Sequence, residues 1–303
     1  MNGASASTHP EGVRYAPGLF AFTSLVLLFV LYQLVGGGLT LLAVGSAITE
    51  DNVMLARTAT VLAQFLFLLV PTLWLVRRQH GSWSAALPMR MPSVTELVLA
   101  VLGMAALLQA AEGYLYFQGK IPVPAAIEPF VEEMKRMIEA TYRTLIEARS
   151  FPELLFVLFV AAVTPSVCEE AMFRGLIQKN AVLATSPVKG FVITGVVFGA
   201  YHLNPFQLLP LAGLGIYFGY LQHRSRSLIV PMTVHLMNNA LSVAAAYAYG
   251  FDTSDMPSLL KGGAEEASDL TVFATTVLFL AAFAVILRAY RSVTEPRPEG
   301  NAA

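Results

Sequence analysis

The chain has 303 residues, 19 Lys+Arg against 20 Asp+Glu, and a formal net charge of -1. Charged residues make up only 13% of it and hydrophobic residues 56%, with a mean hydropathy of +0.62. That is too little charge to cover a soluble globule, and it argues against a cytosolic enzyme, a disordered chain and a nucleic-acid binder. The single cysteine, Cys168, excludes an internal disulfide framework and a cysteine-rich metal cluster.

The uncharged stretches show where the chain crosses a bilayer. They run from Tyr15 to Thr49, Thr58 to Val76, Leu97 to Ala111, Leu154 to Cys168, Gly190 to His223, Ser227 to Phe251 and Leu270 to Leu287. A helix needs about 20 apolar residues to cross the hydrocarbon core, and lipid-exposed backbone must satisfy its own hydrogen bonds. The Gly190–His223 stretch is too long for one span, and Asn204-Pro205 divides it. In chain order the pattern therefore predicts eight spans, at about 18–45, 54–76, 94–115, 152–173, 190–203, 206–222, 228–248 and 269–289. The fifth is short for a bilayer, and Gly36-Gly37-Gly38 marks a kink or an early end of the first.

The stretch 116–151 is the one long connection. Ile127, Phe130, Val131, Met134, Ile138, Tyr142 and Leu145 recur in it at helical spacing, with Glu132→Arg136 and Glu139→Arg143 as i,i+4 pairs on the other face. This reads as an amphipathic helix lying on the membrane or capping the bundle. The fold class is all-α: a polytopic membrane bundle of about eight transmembrane helices plus this amphipathic one. A polar tail at 1–17 precedes a single transmembrane domain at 18–290, and a second polar tail occupies 291–303.

Placing the N-terminal tail in the cytoplasm puts 12 of the 19 basic residues on that side, as the positive-inside rule requires. An even span count brings the C-terminus to the same side. The short connections point to a prokaryotic plasma membrane. The polar start and long first apolar stretch do not read as a cleavable signal peptide.

Ionisable groups at membrane depth cost about 2.5–3.5 kcal/mol each on insertion scales. Three spans carry them. The fourth holds Glu169, Glu170 and Arg174; Glu170 and Arg174 are i,i+4 and share a face, while Glu169 turns about 100° away. The fifth holds Phe198 and His202, also i,i+4, with Gly195, Gly199 and Ala200 allowing close helix packing. The seventh holds His235 and Asn239, i,i+4, inside an uncharged run. Taken singly, the carboxylates and His202 also read as interface residues, and His235 with Asn239 as a helix-packing hydrogen bond. Taken together, a carboxylate pair, two histidines and an amide are the types that activate water and stabilise an oxyanion, or that hold a zinc ion. Cys168 offers a thiol–histidine alternative, but a lone buried cysteine is ordinarily a packing residue.

Glu169-Glu170-x-x-x-Arg174, Phe198-x-x-x-His202 and His235-x-x-x-Asn239 resemble, in order, the three motifs of the CAAX prenyl protease type II family, also called the CPBP or Abi intramembrane proteases. The resemblance covers a motif core at about 151–250 and leaves the first three spans outside it. It implies an intramembrane endopeptidase that hydrolyses a peptide bond of a membrane-associated protein or peptide with a Glu/His-activated water. On this resemblance Glu169 looks like the catalytic carboxylate and His202 its partner. His235 and Asn239 look like the oxyanion side, and Glu170, Arg174 and Phe198 like their support. The resemblance equally admits a metalloprotease, with Glu169, His202, His235 and Asn239 as ligands of a divalent ion such as zinc, or no cofactor at all. Family substrates are prenylated CAAX tails and bacteriocin precursors. A transporter or proton relay, or a catalytically silent scaffold or immunity protein, are the competing readings; the lack of an internal repeat weighs against the first.

Overall fold

The computed structural model describes residues 13–45, 47–250 and 268–294. All eight expected spans are helices: α1 Pro17–Val44, α2 Val53–His80, α3 Val94–Gly119, α5 Phe151–Ala184, α6 Pro187–Tyr201, α7 Leu208–Ser225, α8 Ile229–Tyr249 and α9 Asp269–Val293. The amphipathic connection is α4, Glu128–Ile146. No strand occurs among the described residues. Most of both tails and the acidic Asp252–Asp255 and Glu265–Glu266 segment lie outside the described residues.

Six of these helices are long and apolar enough to cross a membrane: α1, α2, α3, α5, α8 and α9. The sequence pattern counts eight spans; the difference lies in α6 and α7. They form a hairpin clasped against each other and against α5. A Cβ on Gly195 would stand 2.3 Å from Ile216 N, so only glycine lets the two backbones meet there. α5 runs eleven residues past its expected end at 173, for a total of 34. Its extension carries Arg174 and Gln178, polar groups that hydropathy places beyond the span, yet every residue of Ala171–Gln178 is buried. Protein rather than lipid surrounds these polar groups, so a hydropathy argument stops too soon.

Among the described residues four stretches widen to π-helical turns: Val30–Gly36 in α1, Gln64–Leu69 in α2, and Phe159–Val163 and Ala171–Gln178 in α5. Such turns re-aim side chains within an otherwise straight helix and are often found at functional sites. Helix starts follow from local sequence. Ser93 and Glu96 form a capping box at α3, with Arg90 bound to both Glu96 oxygens at 2.7 and 2.9 Å. Ser186 and Pro187 start α6, where Ser186 Oγ accepts from Lys189 N.

At the far end of the bundle, buried Arg57 of α2 holds the α4–α5 connection. It donates to the Leu145 carbonyl at 2.9 Å, the Thr144 carbonyl at 3.2 Å and Glu153 Oε1 at 2.6 Å. Arg149 pairs with Glu50 beside it, and those hydrogen bonds hold the Glu50 carboxyl below the usual carboxylate range. α4 departs from the expected pairing: Glu132 meets Lys135 at 3.2 Å and Arg136 meets Glu133 at 2.6 Å, both i,i+3, so Glu132→Arg136 does not form. Phe130 and Met137 on its apolar side stay exposed, and Lys135 lies over the Phe206 ring in the α6–α7 turn.

Candidate active site

The motif residues converge in the interior of the bundle, between α5, α6 and α8. α5 supplies Glu169 and the wholly buried Glu170 and Arg174; α6 ends in Phe198 and His202; α8 brings His235. α6 stops at Tyr201, with His202 as its C-cap residue, and Leu203 follows in the left-handed region at φ 53°. This non-glycine turn halts the helix beside Glu169.

Two pairs of acid and imidazole result. Glu169 Oε2 faces His202 Nε2 at 4.0 Å, with side chains 13% and 31% exposed. His202 Nδ1 lies 2.8 Å from the Phe198 carbonyl. A carbonyl only accepts, so Nδ1 carries the proton and Nε2 of the neutral ring presents a lone pair toward Glu169. Glu169 Oε2 itself has no hydrogen-bond donor among the described residues.

The second pair is sealed. Glu170 Oε1 accepts from His235 Nδ1 at 3.0 Å, and Glu170 Oε2 stands 3.1 Å from Arg174 Nε, an ion pair whose angles fall short of a hydrogen bond. Arg174 also donates to the Gly215 carbonyl at 3.2 Å and lies 4.9 Å from the Phe198 ring centre. Phe218 stacks on His235 at 5.3 Å, and Phe198 meets His235 edge-on at 5.9 Å. Aromatic faces thus surround the Arg174 guanidinium and the His235 ring and exclude water, which strengthens each polar contact.

Two placements differ from the simplest reading of the sequence, and a third, that of Cys168, agrees with it. Glu170 bonds His235 directly as well as pairing with Arg174 within its own helix. Asn239 donates to the Ala161 carbonyl at 3.0 Å, in the Phe159–Val163 π turn, while its Oδ1 accepts from Asn238. Asn239 therefore keeps one uncommitted amide hydrogen to offer beside His235. Cys168 is fully buried in the main core cluster, as a packing residue.

As a metal site the donor set does not fit. Among the described residues, no three His, Cys, Asp or Glu side chains gather to hold one ion. Of the expected ligands Glu169, His202, His235 and Asn239, Asn239 spends an amide hydrogen on the Ala161 carbonyl and its Oδ1 on Asn238.

Residues outside the three motifs also reach the site. Gln33 of α1 donates to the Tyr201 carbonyl at 3.0 Å, and the Tyr32 ring lies parallel to that of Tyr201, 6.4 Å away. The signal for them was a polar Tyr32-Gln33 pair in the middle of an uncharged span. A cavity of about 740 Å³ lined by Glu50, Arg57, Arg149 and Glu153 belongs to the other end of the bundle and includes none of the motif residues.

Comparison with known proteins singles out the same region. Residues 151–241 match the model of the family described as type II CAAX prenyl endopeptidase Rce1-like. A curated relative, the "Putative membrane peptidase YdiL" of Bacillus subtilis (strain 168), is 28% identical over 129 residues, which is 43% of this chain and 50% of the relative. The chain thus spans about half the length of the curated relative it matches. No solved structure matches the chain significantly.

Proposed function

On the match of residues 151–241 to the model of the Rce1-like type II CAAX prenyl endopeptidases, we propose that this integral membrane protein is a glutamate-dependent endopeptidase of that family. It cleaves a peptide bond in a membrane-associated protein or peptide. The observation that carries this reading is the Glu169–His202 pair. Two acceptors, Glu169 Oε2 and His202 Nε2, face each other across 4.0 Å. A molecule offering two O–H groups matches both, and water is that molecule. Glu169 takes the proton as the water oxygen attacks the scissile carbonyl, and the resulting carboxylic acid returns it to the leaving amine. His202 orients the nucleophile, its tautomer set by the Phe198 carbonyl.

The oxyanion side falls to His235 and Asn239. Glu170 takes the Nδ1–H of His235; when the ring is doubly protonated, Glu170 balances its charge and the Nε2–H donates to the oxyanion. Asn239 spends one amide hydrogen on Ala161 and keeps the other. No step is routed through a metal. The domain runs over 18–290, with both termini in the cytoplasm of a prokaryotic cell.

The test is cleavage of a peptide library by the purified, detergent-solubilised protein. Glu169→Gln keeps the shape of the side chain and removes the base; it should stay folded, bind peptide and fail to cut. Normal turnover by that variant would sink this reading.

A further inference from the structure

We propose that the C-terminal end of α2 is a binding site for an anionic phospholipid, with Arg77 and Arg78 on the phosphate and the apolar stripe that leads to them along an acyl chain. This site is independent of the proteolytic reading and lies outside the matched segment 151–241.

Three observations converge. First, one face of α2 is apolar and unpartnered. Leu62, Leu66, Val70 and Trp74 follow one another at four-residue steps, and all are exposed. Arg78 is the next step, and both it and Arg77 are exposed. From Leu66 to Arg78 the helix rises about 18 Å, close to the apolar depth of one leaflet. With the stripe among acyl chains, the two guanidinium groups therefore lie at the level of the headgroup phosphates. Second, each arginine is set against a tryptophan. Arg77 Cζ lies 5.5 Å from the Trp83 ring centre and Arg78 Cζ 5.6 Å from that of Trp74. Trp83 is itself held in place: its Nε1 donates to the Leu73 carbonyl at 3.1 Å, and its own carbonyl accepts from Leu87 N at 2.8 Å. A guanidinium against a ring keeps the N–H fork at its edge free for two phosphate oxygens, and tryptophan is a residue that settles at headgroup level. Third, no carboxylate competes. Among the described residues neither Arg77 nor Arg78 forms an ion pair. Glu96, at the same end of the bundle, is taken by Arg90 through both oxygens. A zwitterionic headgroup would bring an ammonium that finds no free acid there, whereas a phosphate with one net negative charge meets two uncompensated cations. A soluble anion would leave the stripe bare; a lipid covers stripe and cations together.

The chain has two tryptophans, Trp74 and Trp83, and both belong to this site, so tryptophan fluorescence reports on it alone. The full-length protein in phosphatidylcholine nanodiscs should be quenched more strongly by a minor share of brominated phosphatidylglycerol than by the same share of brominated phosphatidylcholine. Arg77→Gln and Arg78→Gln should each weaken that preference about 5-fold, the effect of one basic residue at an anionic membrane surface, and the double variant should abolish it. The single variants each keep one charge and carry the test where the double variant fails to insert. Lys189→Gln removes another exposed cation, at the start of α6, and should leave the preference intact. Equal quenching of the unmodified protein by the two lipids would overturn the proposal. So would a preference that Lys189→Gln weakens as much as Arg78→Gln, since diffuse surface charge would then account for it. Loss of the preference on adding inorganic phosphate at constant ionic strength would assign the site to a soluble anion and overturn the lipid.

Discussion

Glu170 and His235, 65 positions apart, are joined by a 3.0 Å hydrogen bond from Nδ1 to Oε1 in a site where neither side chain reaches solvent. Arg174 closes the arrangement from the other carboxylate oxygen. A lone buried carboxylate would cost several kcal/mol, and a cation on one side with a donor on the other offsets that cost. The same contact welds α5 to α8 and fixes the plane of the His235 ring. Structure and proposed chemistry thus share one bond.

Removing Arg174 should therefore unfold before it inactivates. Arg174→Ala leaves Glu170 with an uncompensated buried charge, a loss of about 3–5 kcal/mol. Thermal unfolding in detergent should show a large drop, and the double variant Arg174→Ala/Glu170→Gln should recover part of it because the orphaned charge is gone. Equal stability of the single and double variants would mean that the pair carries no net charge compensation.

Asn239→Ala separates two mechanisms. As one oxyanion donor, Asn239 should cost about 10²–10³ in kcat with the metal content of the protein unaffected. A loss that tracks metal content across Asn239→Ala and His202→Ala, and that added zinc restores, would instead make these residues ligands.

The α6–α7 hairpin should tolerate no side chain at its crossing. In Gly195→Ala the new Cβ would lie 2.3 Å from Ile216 N, a backbone atom that cannot swing aside. The helices must part, at a cost of about 1–3 kcal/mol. Because Phe198 and His202 ride on the same helix, cleavage should fall with stability. Gly213→Ala on α7, where a Cβ meets nothing within 4 Å, is the matched control.

Leu203 offers a gain in stability. Its left-handed φ of 53° costs a branched residue about 1 kcal/mol, and glycine pays none of it. Leu203→Gly should raise the unfolding temperature. No change would indicate that the lost apolar contact of this side chain cancels the relieved strain.

The amino-acid order alone determined that this is a helical membrane protein, where its eight apolar helices run, and which polar residues lie at membrane depth. Those are local properties: hydropathy is a sum over neighbours, and i,i+4 spacing puts Glu170 with Arg174 and His235 with Asn239 on common helix faces without any knowledge of the fold. The tertiary structure decided what each face meets. It bonded Glu170 to His235, sent Asn239 to the Ala161 carbonyl, extended α5 past an arginine that hydropathy treats as an end, and drew Tyr32 and Gln33 toward the Glu169–His202 pair. The contacts among these cannot be read along the chain, because each joins residues separated by tens of positions, and π turns shift the facing of a side chain from what a regular helix predicts. A buried charge is tolerated only by its partners, and partners are chosen by packing.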